Sequence, residues 1–312
     1  MPKHEHAGHL NRRGFLGTAG LAATAAAGLG GAASLDETPE PKAELLPTIA
    51  LGEHKVTRMV AGYNPIGGHS HATVNLSNHM RSYFTVERTV AFLQQCEAQG
   101  INTFQFDLTE KVQDALNILW QTDTKLQFIC LHAERPHDAS LEHLMTFKPI
   151  AVVHHGGVTD TLFRAGKADQ VHDFVKKVHD HGVLAGVSSH NPDHIARVAD
   201  EGWEVDLFMT CFHNLTRTRE DMEHEFGVAI VGEPYVESDP PRMTAVVRQV
   251  AKPCLAFKIL AAGRRCNNPK WVDQAFEYAF ANIKKTDAVI VGMFPLYQDE
   301  VSIDVAFARK YA

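Results

Sequence analysis

Beyond Lys55 the chain alternates eight times between a short apolar run and a longer amphipathic stretch, and this is the strongest constraint on its fold. The runs are VTRMVAG, INTFQFD, LQFICLH, IAVVHH, VLAGVSSH, VDLFMTCFH, CLAFKIL and AVIVGMF. Between them lie helical patterns such as VERTVAFLQQCEAQG, QVHDFVKKVHDHG and WVDQAFEYAFANIKK, the first two ending in a glycine suited to a helix C-cap. Eight β/α units over about 260 residues match a single (β/α)8 TIM-type barrel. A doubly wound open sheet is the alternative, but the first run lacks the GxGxxG turn that a dinucleotide-binding open sheet uses. The pattern predicts an α/β chain with one barrel domain over residues 48–312.

A chain of 312 residues, 45% hydrophobic and 21% charged, can bury one large core. The formal net charge of −7 gives no support to a nucleic-acid partner. No apolar run is long and greasy enough to predict a stable membrane span after signal cleavage. Five cysteines with no CxxC pair argue against a disulfide framework and a Cys-rich zinc site, and read as buried small hydrophobes. Nineteen histidines direct attention to ligand or proton-transfer chemistry.

Residues 1–33 resemble a bacterial twin-arginine signal peptide: Arg12-Arg13, then Phe15-Leu16, a mildly apolar Ala/Gly stretch, and Gly31 and Ala33 before a plausible cut. The resemblance implies the twin-arginine export machinery as a partner and a periplasmic or otherwise exported location, away from a freely exchanging nicotinamide pool. Cleavage would remove three basic residues and one acidic one, leaving a net charge of about −9. Residues 34–47 read as an acidic, Pro-containing linker.

In a barrel of this type, chemistry sits at the C-terminal ends of the strands. Here those ends carry Asp107, His132, His154 and His155, His190, His213 and Lys258. Strand alternation groups Thr103, Gln105 and Asp107 on one face, Gly186, Ser188 and His190 on another, then Met209, Cys211 and His213, and Cys254, Ala256 and Lys258. These smaller or more polar faces are expected to point into the barrel, with His155 favoured over His154 on the fourth strand. His69 and His71, in GGHSH, read as loop surface, and His172, His179 and His181 as solvent-facing helix residues.

The order of these segments resembles the aldo/keto reductases over most of the barrel. LGEHKVTRMVAGYNPIGG is similar to that family's opening strand and INTFQFD to its second, ending in a catalytic aspartate, here Asp107. AVVHH resembles the fourth strand, whose histidine helps bind the substrate carbonyl, matched here by His154. GVLAGVSSHNP, MTCFHNLTR and AVIVGMFPLYQDEVSIDVAF resemble the fifth, sixth and eighth strands. The departures concern the chemistry. DLTEKVQDAL lacks the family's tyrosine proton donor, and His132 stands for its lysine. Ser189 stands for the asparagine that holds the nicotinamide, and His213 for the tyrosine that stacks on it. Asp299 and Glu300 follow the last strand, where the family has a basic phosphate-binding segment.

Three neighbouring strands thus each offer an imidazole. His155, His190 and His213 are read as ligands for a divalent or redox metal ion, with Zn, Cu or Fe favoured. Asp107 is a fourth ligand or a base, and Lys258 an acid, base or Schiff-base amine. The loop HEFGVAIVGEPYVESDPP, with Glu233 and Glu237, is either a lid over the mouth or a solvated loop. Arg264 and Arg265 either meet an anionic substrate group or are surface charge. The expectation is an exported, metal-dependent barrel enzyme acting on a small-molecule substrate, polar and bearing a carbonyl or hydroxyl group, such as a sugar derivative. Its alternatives are an aldo/keto reductase-type oxidoreductase with tightly bound NAD(P) and a non-catalytic barrel that holds a ligand or metal.

Overall fold

The computed structural model describes residues 43–312. The signal-peptide reading and residues 34–42 of the expected linker lie outside the described residues. Residues 43–47 are fastened to the barrel rather than free of it. Ala43 N donates to Ala98 O at 3.0 Å, Leu46 N donates to Gly100 O at 2.9 Å, and the Leu46 side chain is buried.

A hairpin, β1 (Thr48–Leu51) and β2 (His54–Thr57), precedes eight parallel strands that close into a barrel. These are β3 (Met59–Gly62), β4 (Thr103–Asp107), β5 (Gln127–His132), β6 (Ala151–His154), β7 (Leu184–Ser189), β8 (Leu207–Cys211), β9 (Cys254–Phe257) and β10 (Ala288–Val291). Closure comes from pairing of β10 with β3, in the register Val289↔Met59. Two helices follow β3, α1 (Asn64–Gly67) and α2 (Val74–Tyr83). Around the barrel run α3 (Val86–Ala98), α4 (Glu110–Leu119), α5 (Leu141–Met145), α6 (Gly156–Arg164), α7 (Ala168–Asp180) and α8 (Pro192–Asp200). A short α9 (Arg219–Phe226) lies in the loop after β8, and α10 (Asp239–Gln249), α11 (Pro269–Asn282) and α12 (Glu300–Tyr311) complete the chain. Among the described residues no helix is long and apolar enough to cross a membrane. The five cysteines are free thiols, four of them buried.

The first predicted strand is two elements. Val56 and Thr57 belong to the hairpin, and the barrel strand begins after Arg58. The break is held by a buried guanidinium: Arg58 Nε donates to Asp287 O at 2.9 Å and Nη2 to Lys284 O at 3.1 Å. The hairpin serves as a floor. Ile49, Leu51 and Val56 pack with Val60, Ile129, Val153, Met209 and Leu255, which fill the inside of the barrel. The opposite set, including Phe104, Phe106, Val152, Val187 and Phe208, faces the helices. The expected inward faces of β4, β6, β7 and β8 agree with this layering. The expectation for β9 is one residue out of phase: Leu255 and Phe257 line the inside, whereas Cys254 and Ala256 join the helix-facing core.

Local sequence explains where the helices start. Thr85, Thr109 and Ser140 cap α3, α4 and α5 by accepting from backbone N–H groups of the first turn. Asn191 caps α8 with Pro192 next in line, so β7 ends and α8 begins within three residues around His190.

If the hairpin is a structural floor, Leu51→Ala leaves a cavity under the barrel. It is expected to lower the unfolding free energy by about 2–5 kcal/mol, measured by the shift of the urea midpoint at unchanged slope.

Candidate active site

The centre of the site is a carboxylate that the sequence does not single out. Asp160, on α6, is 0% exposed. It accepts from His190 Nδ1 at 2.8 Å, His190 N at 3.1 Å, His194 Nδ1 at 2.9 Å, Thr216 Oγ1 at 3.1 Å and the Ser189 hydroxyl. Burial alone would raise its pKa, but the hydrogen bonds from His190 and His194 hold it well below the usual carboxylate range. A carboxylate can only accept, so the proton on the His190 ring sits on Nδ1 and leaves Nε2 open. The ring stands edge-on to Phe257, 5.7 Å between centroids, on the inside of the barrel. Room for it comes from Gly156, where a Cβ would lie 3.3 Å from His190 Cε1 and 2.9 Å from Ser188 Oγ.

Asp107 ends β4 as expected. Burial pushes its carboxyl up to about 6, against the opposing charge of Arg135. Arg135 Nη2 lies 3.7 Å from Asp107 Oδ2, but its Nε is engaged by Asp138 at 2.9 Å, and Asp107 Oδ1 is buried without a partner. Tyr63, the N-cap of α1, brings a buried hydroxyl to Thr109 and Asp107, and burial pushes it up to about 12. Gln105 Nε2, one pleat below Asp107, is also buried and unpartnered.

Lys258 reaches the mouth by a different route from the one predicted. Ordinary alternation after Phe257 would send it toward the helices. Instead its φ is +59°, a left-handed conformation worth about 1–3 kcal/mol of strain in a residue with a Cβ. The side chain turns back so that Nζ lies 5.2 Å from the centre of the Phe257 ring. Burial lowers its pKa, with the Cys211 thiol and Glu233 acting against that shift. Among the described residues it has no hydrogen-bond or ion-pair partner.

The two histidines of the fourth strand part company. His154 faces the helices, with Nδ1 2.7 Å from Thr159 Oγ1 and its ring 4.9 Å from that of Phe174. It is therefore away from the mouth, contrary to the catalytic role carried over to it. His155 faces the mouth, and its Nδ1 is buried without a partner. Burial, then the charges of Arg135, His190 and Lys258, lower it to about 4, so it is neutral at pH 7. His213 is also buried, with both ring nitrogens unpartnered, and burial lowers it to about 4. Its charged neighbours are Asp239, Arg265 and Glu237, and its ring lies against Tyr235. The three expected ligands thus differ in surroundings: the charge of His190 reaches His155, whereas the charges around His213 are those of Asp239, Arg265 and Glu237. Among the described residues no group of three or more His, Cys, Asp or Glu side chains is placed to hold a metal ion.

The acidic loop after β8, exposed at Val228, Ile230 and Val231, reaches the exits of β3 and β9 through Glu233, Tyr235 and Glu237. Glu233 accepts from His71 Nδ1 at 2.8 Å, and Asn64 Nδ2 donates to His71 Nε2 at 3.2 Å. Arg264 lies over the Tyr235 ring at 3.8 Å and donates to His71 O at 2.9 Å, while Arg265 pairs with Glu237 at 2.5 Å. The base of the loop is fixed by Arg217, bonded to Asp239 through both terminal nitrogens at 2.9 and 2.6 Å and to Glu225 at 2.7 Å. His71, expected at the loop surface, is the point where this loop meets the β3 exit. The helix residues His172 and His179 are half-buried and paired with Glu204 and Asp206, not simply solvated.

No protein-family profile matches the chain, and no curated protein matches it by sequence. Solved structures do match. An aldo-keto reductase from Pseudomonas aeruginosa aligns with a TM-score of 0.54 at 15% identity, covering 88% of this chain and 99% of that one. An aldo-keto reductase from Bacillus halodurans, in its holo form, aligns with a TM-score of 0.54 at 11% identity, covering 85% and 95%. A glycerol dehydrogenase from Gluconobacter oxydans gives 0.51 at 13%, covering 83% and 90%. The fold is that of the aldo-keto reductase barrels. At these identities the likeness is one of fold. The positions that would contact a nicotinamide are otherwise engaged: the Ser189 hydroxyl is turned onto Asp160, and Asp299 caps α12 by accepting from Ser302 N at 3.1 Å. Next to it Glu300 accepts from Phe294 N at 2.6 Å. The start of α12 thus carries two carboxylates.

The depressed Asp160 has a consequence for acid stability. Its bonded, ionised form stabilises the fold above the unfolded carboxylate value of about 4, and that contribution is lost as pH falls below it. Thermal melts from pH 7 down to pH 3 are expected to show a fall in Tm that is shallower in Asp160→Asn, which starts from a lower Tm at neutral pH.

Proposed function

We propose that the barrel is an enzyme of proton-transfer chemistry, acting on a small polar molecule that carries a carbonyl and a hydroxyl group, such as a sugar derivative. The observation that carries this reading is the Asp160–His190 pair. Asp160 fixes the tautomer and orientation of the ring and stabilises the imidazolium formed when Nε2 takes a proton. Asp107, poised near pH 6 with a free oxygen, is suited to exchange a proton with a substrate oxygen. The unpartnered nitrogens of His155 and Gln105 are polar groups whose burial is costly until a ligand bonds to them. In this scheme a proton leaves the carbon beside the carbonyl for His190 Nε2, while Asp107 shares its proton with the carbonyl oxygen. Return of the proton to the neighbouring carbon would make the reaction an isomerisation. The lid formed by Glu233 and Tyr235 would keep water from the intermediate.

The test is solvent deuterium uptake into a panel of hydroxy-aldehydes and hydroxy-ketones, followed by NMR. Wild-type protein is expected to catalyse exchange, and His190→Gln to lose about 10²–10⁴-fold with its fold retained. Exchange at the wild-type rate in His190→Gln removes His190 as the base.

The leader supports the further proposal that the barrel works outside the cytoplasm. Replacing Arg12 and Arg13 by lysine is expected to hold the chain in the cytoplasmic fraction, and export undiminished by that change would overturn it.

A further inference from the structure

We infer that Lys258 is a covalent nucleophile, and that the carbonyl compound taken by this mouth is held as an imine on its Nζ. The inference rests on the proton-transfer reading and names how its substrate is bound. Three features of the structure carry it.

The first is position. Nζ and the His190 ring lie over the same apolar side chain, 5.2 Å and 5.7 Å from the centre of the Phe257 ring. An amine and a base oriented by a buried carboxylate therefore share one floor. The second is isolation. Lysines inside proteins are ordinarily paired, because an unpaired ammonium is costly away from water. The acid groups near Lys258 are not available to pair with it: Glu233 is held by His71 at 2.8 Å, and the buried Cys211 thiol is pushed up to about 12 and stays neutral. Burial accordingly favours the neutral amine, which is the nucleophilic form. The third is backbone conformation. Lys258, Ala261 and Ala262 all have φ between +49° and +59°, followed by Gly263 at +84°. A strained turn that redirects one side chain into a mouth is what a functional constraint produces, whereas an unstrained continuation of β9 would have pointed it at the helices.

The chemistry balances without an external oxidant or reductant. The Nζ lone pair attacks the carbonyl carbon, and the C=O π pair moves to oxygen, which takes the proton carried by Asp107. His190 Nε2 accepts the proton released from nitrogen and returns it to the carbinolamine hydroxyl, which leaves as water while the C=N bond forms. The product is the iminium, its nitrogen still carrying one proton, and this cation makes the neighbouring C–H more acidic than the free carbonyl does, so the same base is placed for the step that follows. Addition of water reverses the sequence and restores the amine.

The experiment treats the full chain at neutral pH with glycolaldehyde and sodium cyanoborohydride, which reduces an iminium in place, and maps the adduct by peptide mass spectrometry. The exposed Lys125 and Lys176 are internal references. The reduced adduct is expected on Lys258 about tenfold faster than on either reference, with the preference fading as pH approaches the ordinary lysine value of about 10.4. Lys258→Arg is expected to lose the selective adduct. Should that variant fail to fold, the site preference in the wild-type chain decides the question alone. Labelling of Lys258 no faster than Lys125 and Lys176 overturns the inference. Trapping without deuterium exchange keeps the imine and removes the proton-transfer reading, whereas exchange without trapping does the reverse.

Discussion

A fully buried carboxylate sets the terms for the upper rim of this barrel. Asp160 lies on α6, behind the strand ends, where an ion without partners would be costly. Two imidazoles, two hydroxyls and a backbone N–H converge on it, drawn from β7, the start of α8 and the loop after β8. Satisfying that one charge ties three segments together. It also leaves His190 with a single open nitrogen, so the chemical character of the mouth follows from an electrostatic requirement in its wall.

The opposite end of the molecule shows a different constraint. The hairpin floor closes the barrel with the apolar side chains of Ile49, Leu51 and Val56. Buried polar atoms without partners are found on the opposite rim, in Gln105, Asp107, His155 and His213, where ligand groups can complete them.

The fold is like that of the aldo-keto reductase barrels, and the polar groups at its rim are engaged with one another. The Ser189 hydroxyl is bonded to Asp160. The start of α12 is capped by its own carboxylate, which supplies the negative charge that a phosphate would bring to a helix N-terminus. The hydroxyl bonded to Thr109, within reach of the Asp107 charge, comes from Tyr63 at the exit of β3, a residue that no spacing within INTFQFDLTEKV could reveal.

Much of the fold was legible in the sequence because strand and helix periodicities are local properties. Eight apolar runs, their helical partners and their caps were enough to specify a closed parallel barrel and to place Asp107, His155 and His190 at one end of it. Alternation succeeded on β4, β6, β7 and β8 because each is a regular strand with a large apolar face toward the helices. It failed on β9, where the bulkier face, Leu255 and Phe257, points into the barrel and the smaller one, Cys254 and Ala256, toward the helices, and the positive φ of Lys258 then reversed the side chain once more. Tertiary structure alone decided which histidines keep company. His190 answers to Asp160, thirty residues away, while His213 answers to Asp239 and Tyr235, and His154 turns to Thr159. The reason is physical: a polar group's role depends on which partner and how little water surround it, and both are set by distant segments meeting in space rather than by neighbours in the chain.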